Sequence, residues 1–171
     1  MKKILFLFCL LTSSFLFSQN EIPKLSNLNS YIFFKDYIGK HFPIEELKDE
    51  NGKNFPKDYF KGKITLINLW YTTCAPCIGE IPYLNQLKDQ LNDKVNFVGI
   101  TFHNQEKVNA FLQKHPFNFD LINNVDYKIL QKHNYQRFPT NFLLDKEGNI
   151  VYLLHNFDEN FRDEFLKAFS N

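Results

Sequence analysis

Two cysteines two residues apart, in Cys74-Ala75-Pro76-Cys77, are the side chains of this chain best suited to chemistry. The residues before them, 64–70, form an almost unbroken apolar run that ends in Trp70. The residues after them carry apolar side chains at Ile78, Ile81, Leu84, Leu87 and Leu91. The first pattern predicts a central strand buried on both faces, and the second an amphipathic helix. Cys74 therefore falls at a strand-to-helix junction, near unpaired backbone N–H groups and the positive end of the helix dipole. Both favour thiolate over thiol, and thiolate is the attacking species. Cys77 lies one turn further in, and is expected to be more buried and less ionised. The expectation is thus an exposed, ionised Cys74 that attacks a disulfide, and a Cys77 that resolves the mixed disulfide by attacking Cys74. Pro76 costs the helix little so close to its start and stiffens the loop.

Other uses of such a pair make demands that this sequence meets poorly. A zinc site wants four ligands, and the five histidines (His41, His103, His115, His133, His155) form no close pair at ligand spacing. A purely structural bridge across so short a loop removes little unfolded-state entropy. A peroxide-reducing cysteine wants threonine or serine three residues upstream and proline further back, where Tyr71 and Ile67 stand. No metal and no cofactor is expected.

The 171 residues suit one domain, and 44% hydrophobic against 23% charged content suits a packed core. Phe is used 20 times, which lets bulky rings fill that core. A net charge of +1 offers no basic field for nucleic acid. Lys2 and Lys3 followed by an apolar block resemble an export signal, too short to span a bilayer, with cleavage expected near Ser18 or Gln19. The expected division is a signal peptide over 1–19, a leader over 20–38 and one domain over 39–171. Loss of Lys2 and Lys3 would take the 20 basic side chains to 18 against 19 acidic, and loss of Cys9 would leave only the dithiol. Export places that dithiol in the periplasm or another extracytoplasmic, oxidising compartment.

Further strands are expected over 95–101, 141–144 and 150–154, the last two joined by a hairpin loop around Gly148. Helices are expected over 105–114, capped by Asn104, over 125–133, and over 159–169, capped by Asp158. Thr72 or Thr73 is the expected cap of the helix after the dithiol, and Pro82 is expected to kink it. A turn at Asp49-Glu50-Asn51-Gly52 predicts a short hairpin ahead of the first strand. The order strand–helix–strand demands parallel pairing and the late hairpin antiparallel pairing, so a mixed sheet with helices on both faces is the expected α/β architecture.

Several motifs recur together: Gly39-Lys40-His41-Phe42-Pro43, Asn68-Leu69-Trp70, Cys74-Ala75-Pro76-Cys77, Glu80-Ile81-Pro82 and Phe138-Pro139-Thr140, with residues 145–151 behind. On these residues the chain resembles the TlpA/ResA-like periplasmic thiol–disulfide oxidoreductases, and the resemblance implies a thioredoxin-like three-layer α/β/α fold. It implies a cis Phe138–Pro139 bond beside the sulfurs, with Phe138, Pro139, Thr140 and Trp70 as the surface for an extended substrate segment. It implies disulfide-bearing protein substrates such as oxidised apocytochrome c, and a membrane thiol electron donor; a monomer is expected. Thr73 departs from the tryptophan usual before the first cysteine. Where thioredoxins proper carry a buried Asp, six residues before that cysteine, this chain has Asn68, which cannot take a proton. The resemblance implies that the matching Glu80 tunes the thiols, and it is expected to shift their pKa values and relay the Cys77 proton. Oxidase, isomerase or a non-catalytic binding module remain open alternatives at this stage.

Overall fold

The computed structural model describes residues 35–169. The expected signal peptide and most of the expected leader lie outside the described residues. Strand β1, Ile64–Leu69, is buried at all six positions, which is why its sequence is nearly continuous apolar with no alternation. Its alternate side chains serve two cores. Leu66 packs into one with Cys77, Leu84, Leu87 and Phe165, and Ile67 and Leu69 pack into the other with Phe42, Ile44, Leu130 and Phe142.

Around β1 runs a five-stranded sheet in the order β3-β2-β1-β4-β5. Strand β2, Val95–Ile100, lies parallel to β1, and β3, Asp120–Ile122, parallel to β2. Strand β4, Thr140–Leu144, runs antiparallel to β1, and β5, Ile150–Leu154, antiparallel to β4. The helices are α1, Ala75–Leu91, α2, Gln105–Leu112, α3, Tyr127–Lys132, and α4, Glu159–Phe169. This is the mixed α/β sheet that the sequence implies.

The differences are local. Strand β3 has only three residues, too few to display a period, and sequence reading leaves it as a loop. The hairpin ahead of β1 is reduced to a single bridge between Lys48 and Asn54, because residues Ile44–Glu46 wind into a 3-10 turn instead of a strand. Asp49 stabilises the turn itself, its carboxylate accepting from the N–H groups of Asn51 and Lys53 at 2.9 Å each. Helix α1 continues through Pro82 as one helix. Asn104 caps α2 and Asp158 accepts from Phe161 N–H at 2.9 Å, as expected.

The position of Gly99 in β2 governs how the end of β1 packs. A Cβ there would stand 2.7 Å from Leu121 Cδ2 and 3.1 Å from both Trp70 Nε1 and a Phe117 ring carbon. Glycine opens the slot in which the indole lies, against Phe111 and Phe117 at centroid distances of 5.1 and 5.3 Å. Gly99→Ala is expected to lower stability by about 1–3 kcal/mol through overpacking, read as a fall in the urea midpoint with an unchanged slope.

Candidate functional site

The β1 ladder ends at Leu69, which lies opposite Ile100 of β2 and Thr140 of β4. The turn into α1, the end of β2 and the segment before β4 therefore meet at one sheet edge. In that turn Cys74 N–H donates to Tyr71 O at 3.1 Å. Cys74 is itself the N-cap of α1: its φ of −83° and ψ of 99° are extended, and its Sγ accepts from Cys77 N–H at 3.2 Å. A sulfur thus takes the place of the hydroxyl or carboxylate oxygen that usually caps a helix, and neither Thr72 nor Thr73 does so.

Cys74 and Cys77 are joined as a disulfide, with their Cα atoms 5.2 Å apart. The structure corrects the expected contrast in exposure. Cys74 is 2% exposed and Cys77 1%, so both sulfurs are covered in the disulfide form. The cause is the cap: to accept the Cys77 N–H and bond the Cys77 sulfur, Cys74 must turn its side chain inward, beneath exposed Thr73, Ala75 and Pro76. The asymmetry between the two cysteines lies in the cap bond and not in solvent contact.

Glu80 lies three residues beyond Cys77 on the same buried face of α1. Its carboxylate accepts from Asn68 Nδ2 on β1, from Asn141 Nδ2 on β4 at 3.3 Å, and from Phe157 N–H at 2.7 Å. Asn68 and Asn141 are paired across the two strands, and Asn68 Nδ2 also donates to Asn141 Oδ1 at 3.0 Å. No cation pairs with Glu80 among the described residues. Loss of solvent is accordingly the dominant influence and raises the carboxyl pKa to about 7, with the Phe157, Asn68 and Asn141 hydrogen bonds pulling it back. Sequence reading finds Glu80 and Asn68 but misses Asn141 and the Phe157 N–H. The available signal was a second asparagine inside an apolar strand.

The Phe138–Pro139 bond is cis. Phe138 is half-buried and packs against Tyr71 and Phe102 at 5.3 and 5.7 Å, so this segment flanks the loop that leads to Cys74. Pro139 and Thr140 are buried behind it. The Thr140 hydroxyl donates to Arg137 O at 2.6 Å, closing the turn that carries the proline. His155 Nδ1 lies 2.9 Å from Pro139 O and 2.8 Å from Thr140 Oγ1. A carbonyl only accepts, so this nitrogen carries the proton. Thr140 is thus an internal brace and His155 a support that sequence reading does not foresee. Trp70, assigned to the substrate surface on resemblance, is 0% exposed and cannot touch a substrate in this conformation. It is a core residue, sealed by the slot over Gly99. His103 reaches the same edge, its Nδ1 2.8 Å from Thr72 Oγ1. Among the described residues no group of three metal-binding side chains gathers.

A model of the AhpC/TSA family matches residues 38–153. The chain belongs to that family. Within it, this AhpC/TSA member groups with the ResA-like thiol–disulfide oxidoreductases. It is 32% identical to the thiol–disulfide oxidoreductase ResA of Bacillus subtilis over 115 residues, 66% of this chain and 64% of that protein. It is 32% identical to ResA of Bacillus cereus over 125 residues, 70% of this chain and 72% of that one. Among solved structures, a thiol:disulfide interchange protein from Bacteroides sp. superposes with a TM-score of 0.62 at 22% identity, over 76% of this chain and 88% of that one, and shares its thioredoxin-like fold.

The raised pKa of Glu80 links stability to pH. An unfolded carboxyl titrates near 4.5 and the folded one near 7, so the fold takes up a proton between those values. The associated stability is complete below about 4.5 and is lost as pH rises through about 7. Between pH 4 and 9 the wild type is expected to lose about 3 kcal/mol relative to Glu80→Gln, whose amide does not titrate, in urea unfolding of the disulfide form. Parallel pH curves for the two proteins would refute it.

Proposed function

We propose that the protein is an exported thiol–disulfide oxidoreductase that chiefly reduces disulfides of protein substrates. The observation that carries this reading is the Cys74 sulfur held as the N-cap of α1, 3.2 Å from the Cys77 N–H, with Glu80 buried three residues beyond Cys77. A backbone donor and the helix dipole stabilise negative charge on Cys74 once the Cys74–Cys77 bond is reduced. The Cys74 thiolate attacks one sulfur of a substrate disulfide, and the other substrate sulfur leaves as thiolate. Cys77 passes its proton to Glu80 and attacks Cys74 Sγ. The Cys74–Cys77 disulfide forms and the second substrate thiolate departs. Two electrons have moved to the substrate, and an external dithiol at the membrane must return them for the next turnover.

Glu80 suits the relay because a carboxyl pKa of about 7 lets it accept a proton and release it near neutral pH. The half-buried Phe138 edge provides the place where an extended substrate segment pairs with the backbone. Oxidised apocytochrome c is the substrate that the family resemblance suggests. The apolar N-terminal block supports export to the periplasm or an equivalent compartment, and no helix of the described residues is long and apolar enough to cross a membrane. Since both sulfurs are covered in the disulfide form, the reading requires that reduction free Cys74 Sγ.

Two measurements test it. Iodoacetamide added to the reduced protein near neutral pH should label Cys74 selectively and before Cys77; labelling of Cys77 first, or of neither, overturns the assignment. The reduction potential of the couple, equilibrated against a reference dithiol, should fall near the reducing end of the CxxC range, about −270 mV, whereas a value near −120 mV makes the protein an oxidase.

A further inference from the structure

Among the described residues, one side chain from outside the turn between β1 and α1 hydrogen-bonds to it. Tyr71 to Cys74 is closed by the Cys74 N–H to Tyr71 O bond, which leaves the N–H of Thr72, at the second position, without a partner inside the turn. That N–H points at His103 Nδ1, 3.3 Å away, and Thr72 Oγ1 lies 2.8 Å from the same atom. A backbone N–H can only donate, so Nδ1 presents a lone pair and the hydroxyl donates to it as well. His103 is thereby fixed as the neutral tautomer with its proton on Nε2. The imidazole makes T-shaped contacts with both Tyr71 and Phe102, at centroid distances of 5.8 and 4.8 Å, and those two rings also touch each other at 5.6 Å. Its backbone is pinned too: its N–H donates to Thr101 Oγ1 at 3.2 Å and its carbonyl accepts from Asn124 N–H at 2.8 Å. The ring is a fixed post at the end of β2.

We propose that His103 is a positioning residue for the dithiol: its neutral ring grips Thr72 and so holds the loop that carries Cys74 at the start of α1 after the Cys74–Cys77 bond is broken, when the sulfur is freed to attack. The proposal rests on Cys74 being the attacking sulfur. In the disulfide form the S–S bond already ties the loop to α1, and the grip adds little. In the dithiol form that tie is gone, and the hydrogen bonds holding the loop are the turn bond, the cap bond, the Ile78 N–H to Cys74 O bond at 3.0 Å and the two bonds to His103. A proton on Nδ1 would set one donor against another at Thr72, so the grip belongs to the neutral ring. Partial burial, and then the charge of Lys107 on α2, hold the ring's pKa below its ordinary value, which keeps it in that form near neutral pH.

The tautomer is read first, on the reduced full chain near neutral pH, from long-range proton–nitrogen correlations of the imidazole. Nδ1 should be unprotonated and Nε2 protonated; a proton on Nδ1 overturns the proposal without any variant. His103→Phe keeps an aromatic ring but removes the acceptor. It should slow the reaction of the dithiol form with oxidised glutathione about fivefold, the worth of roughly one hydrogen bond, and leave reduction of the disulfide form by dithiothreitol unchanged. His103→Asn, whose carbonyl oxygen restores an acceptor near the Nδ1 position, should recover most of the rate. A His103→Phe rate equal to wild type, or an equal fall in both directions, overturns the grip. A wild-type protein that reacts first at Cys77 overturns instead the assignment of the attacking sulfur.

Discussion

Helix α1 begins with a sulfur where an oxygen is the rule. A helix start exposes backbone donors that must find an acceptor, and here Cys77 is buried, so solvent cannot serve its N–H. Cys74 supplies its Sγ to the Cys77 N–H, and the need of the helix for a cap becomes the means by which the sulfur is oriented and its negative charge favoured. The other parts of the site are arranged around that start. Strand β1 delivers the turn, the segment before β4 walls it on one side, and the end of β2 braces it on the other.

Beneath the dithiol lies a carboxyl group that the interior would prefer neutral. Three donors converge on Glu80, two of them amides on adjacent strands, yet none carries a charge. The outcome of that competition is decided by desolvation, which outweighs the hydrogen bonds and keeps the proton within reach of neutral pH. An arginine in place of either asparagine would reverse the balance and fix the carboxylate. The Asn68–Asn141 pair therefore leaves the acid both satisfied in geometry and free to titrate.

Much of this was legible in the chain. The unbroken apolar run before Cys74 could only be a two-sided strand, and the dithiol followed at the spacing that a helix start allows. Glu80 stood out through its spacing of three residues from Cys77 and the family resemblance, with Asn68 unable to do an acid's work. What was hidden depended on contacts distant in sequence. Asn141 and the Phe157 N–H belong to the Glu80 site only because β4 lies beside β1 and the chain returns past α1 before α4. The family resemblance placed Trp70 at the substrate surface, but Gly99, 29 positions on, makes room to bury it. Strand β3 was too short to show a pattern, and a thiol cap is not among the residues from which helix starts are read.

The burial of Trp70 gives the protein a built-in optical probe. It is the single indole of the sequence, and it shares one packed cluster with both cysteines. A disulfide quenches the excited state of a nearby indole more strongly than two thiols do. The emission of this ring is therefore expected to report the oxidation state of the couple, with no dye attached and no second tryptophan to blur the signal.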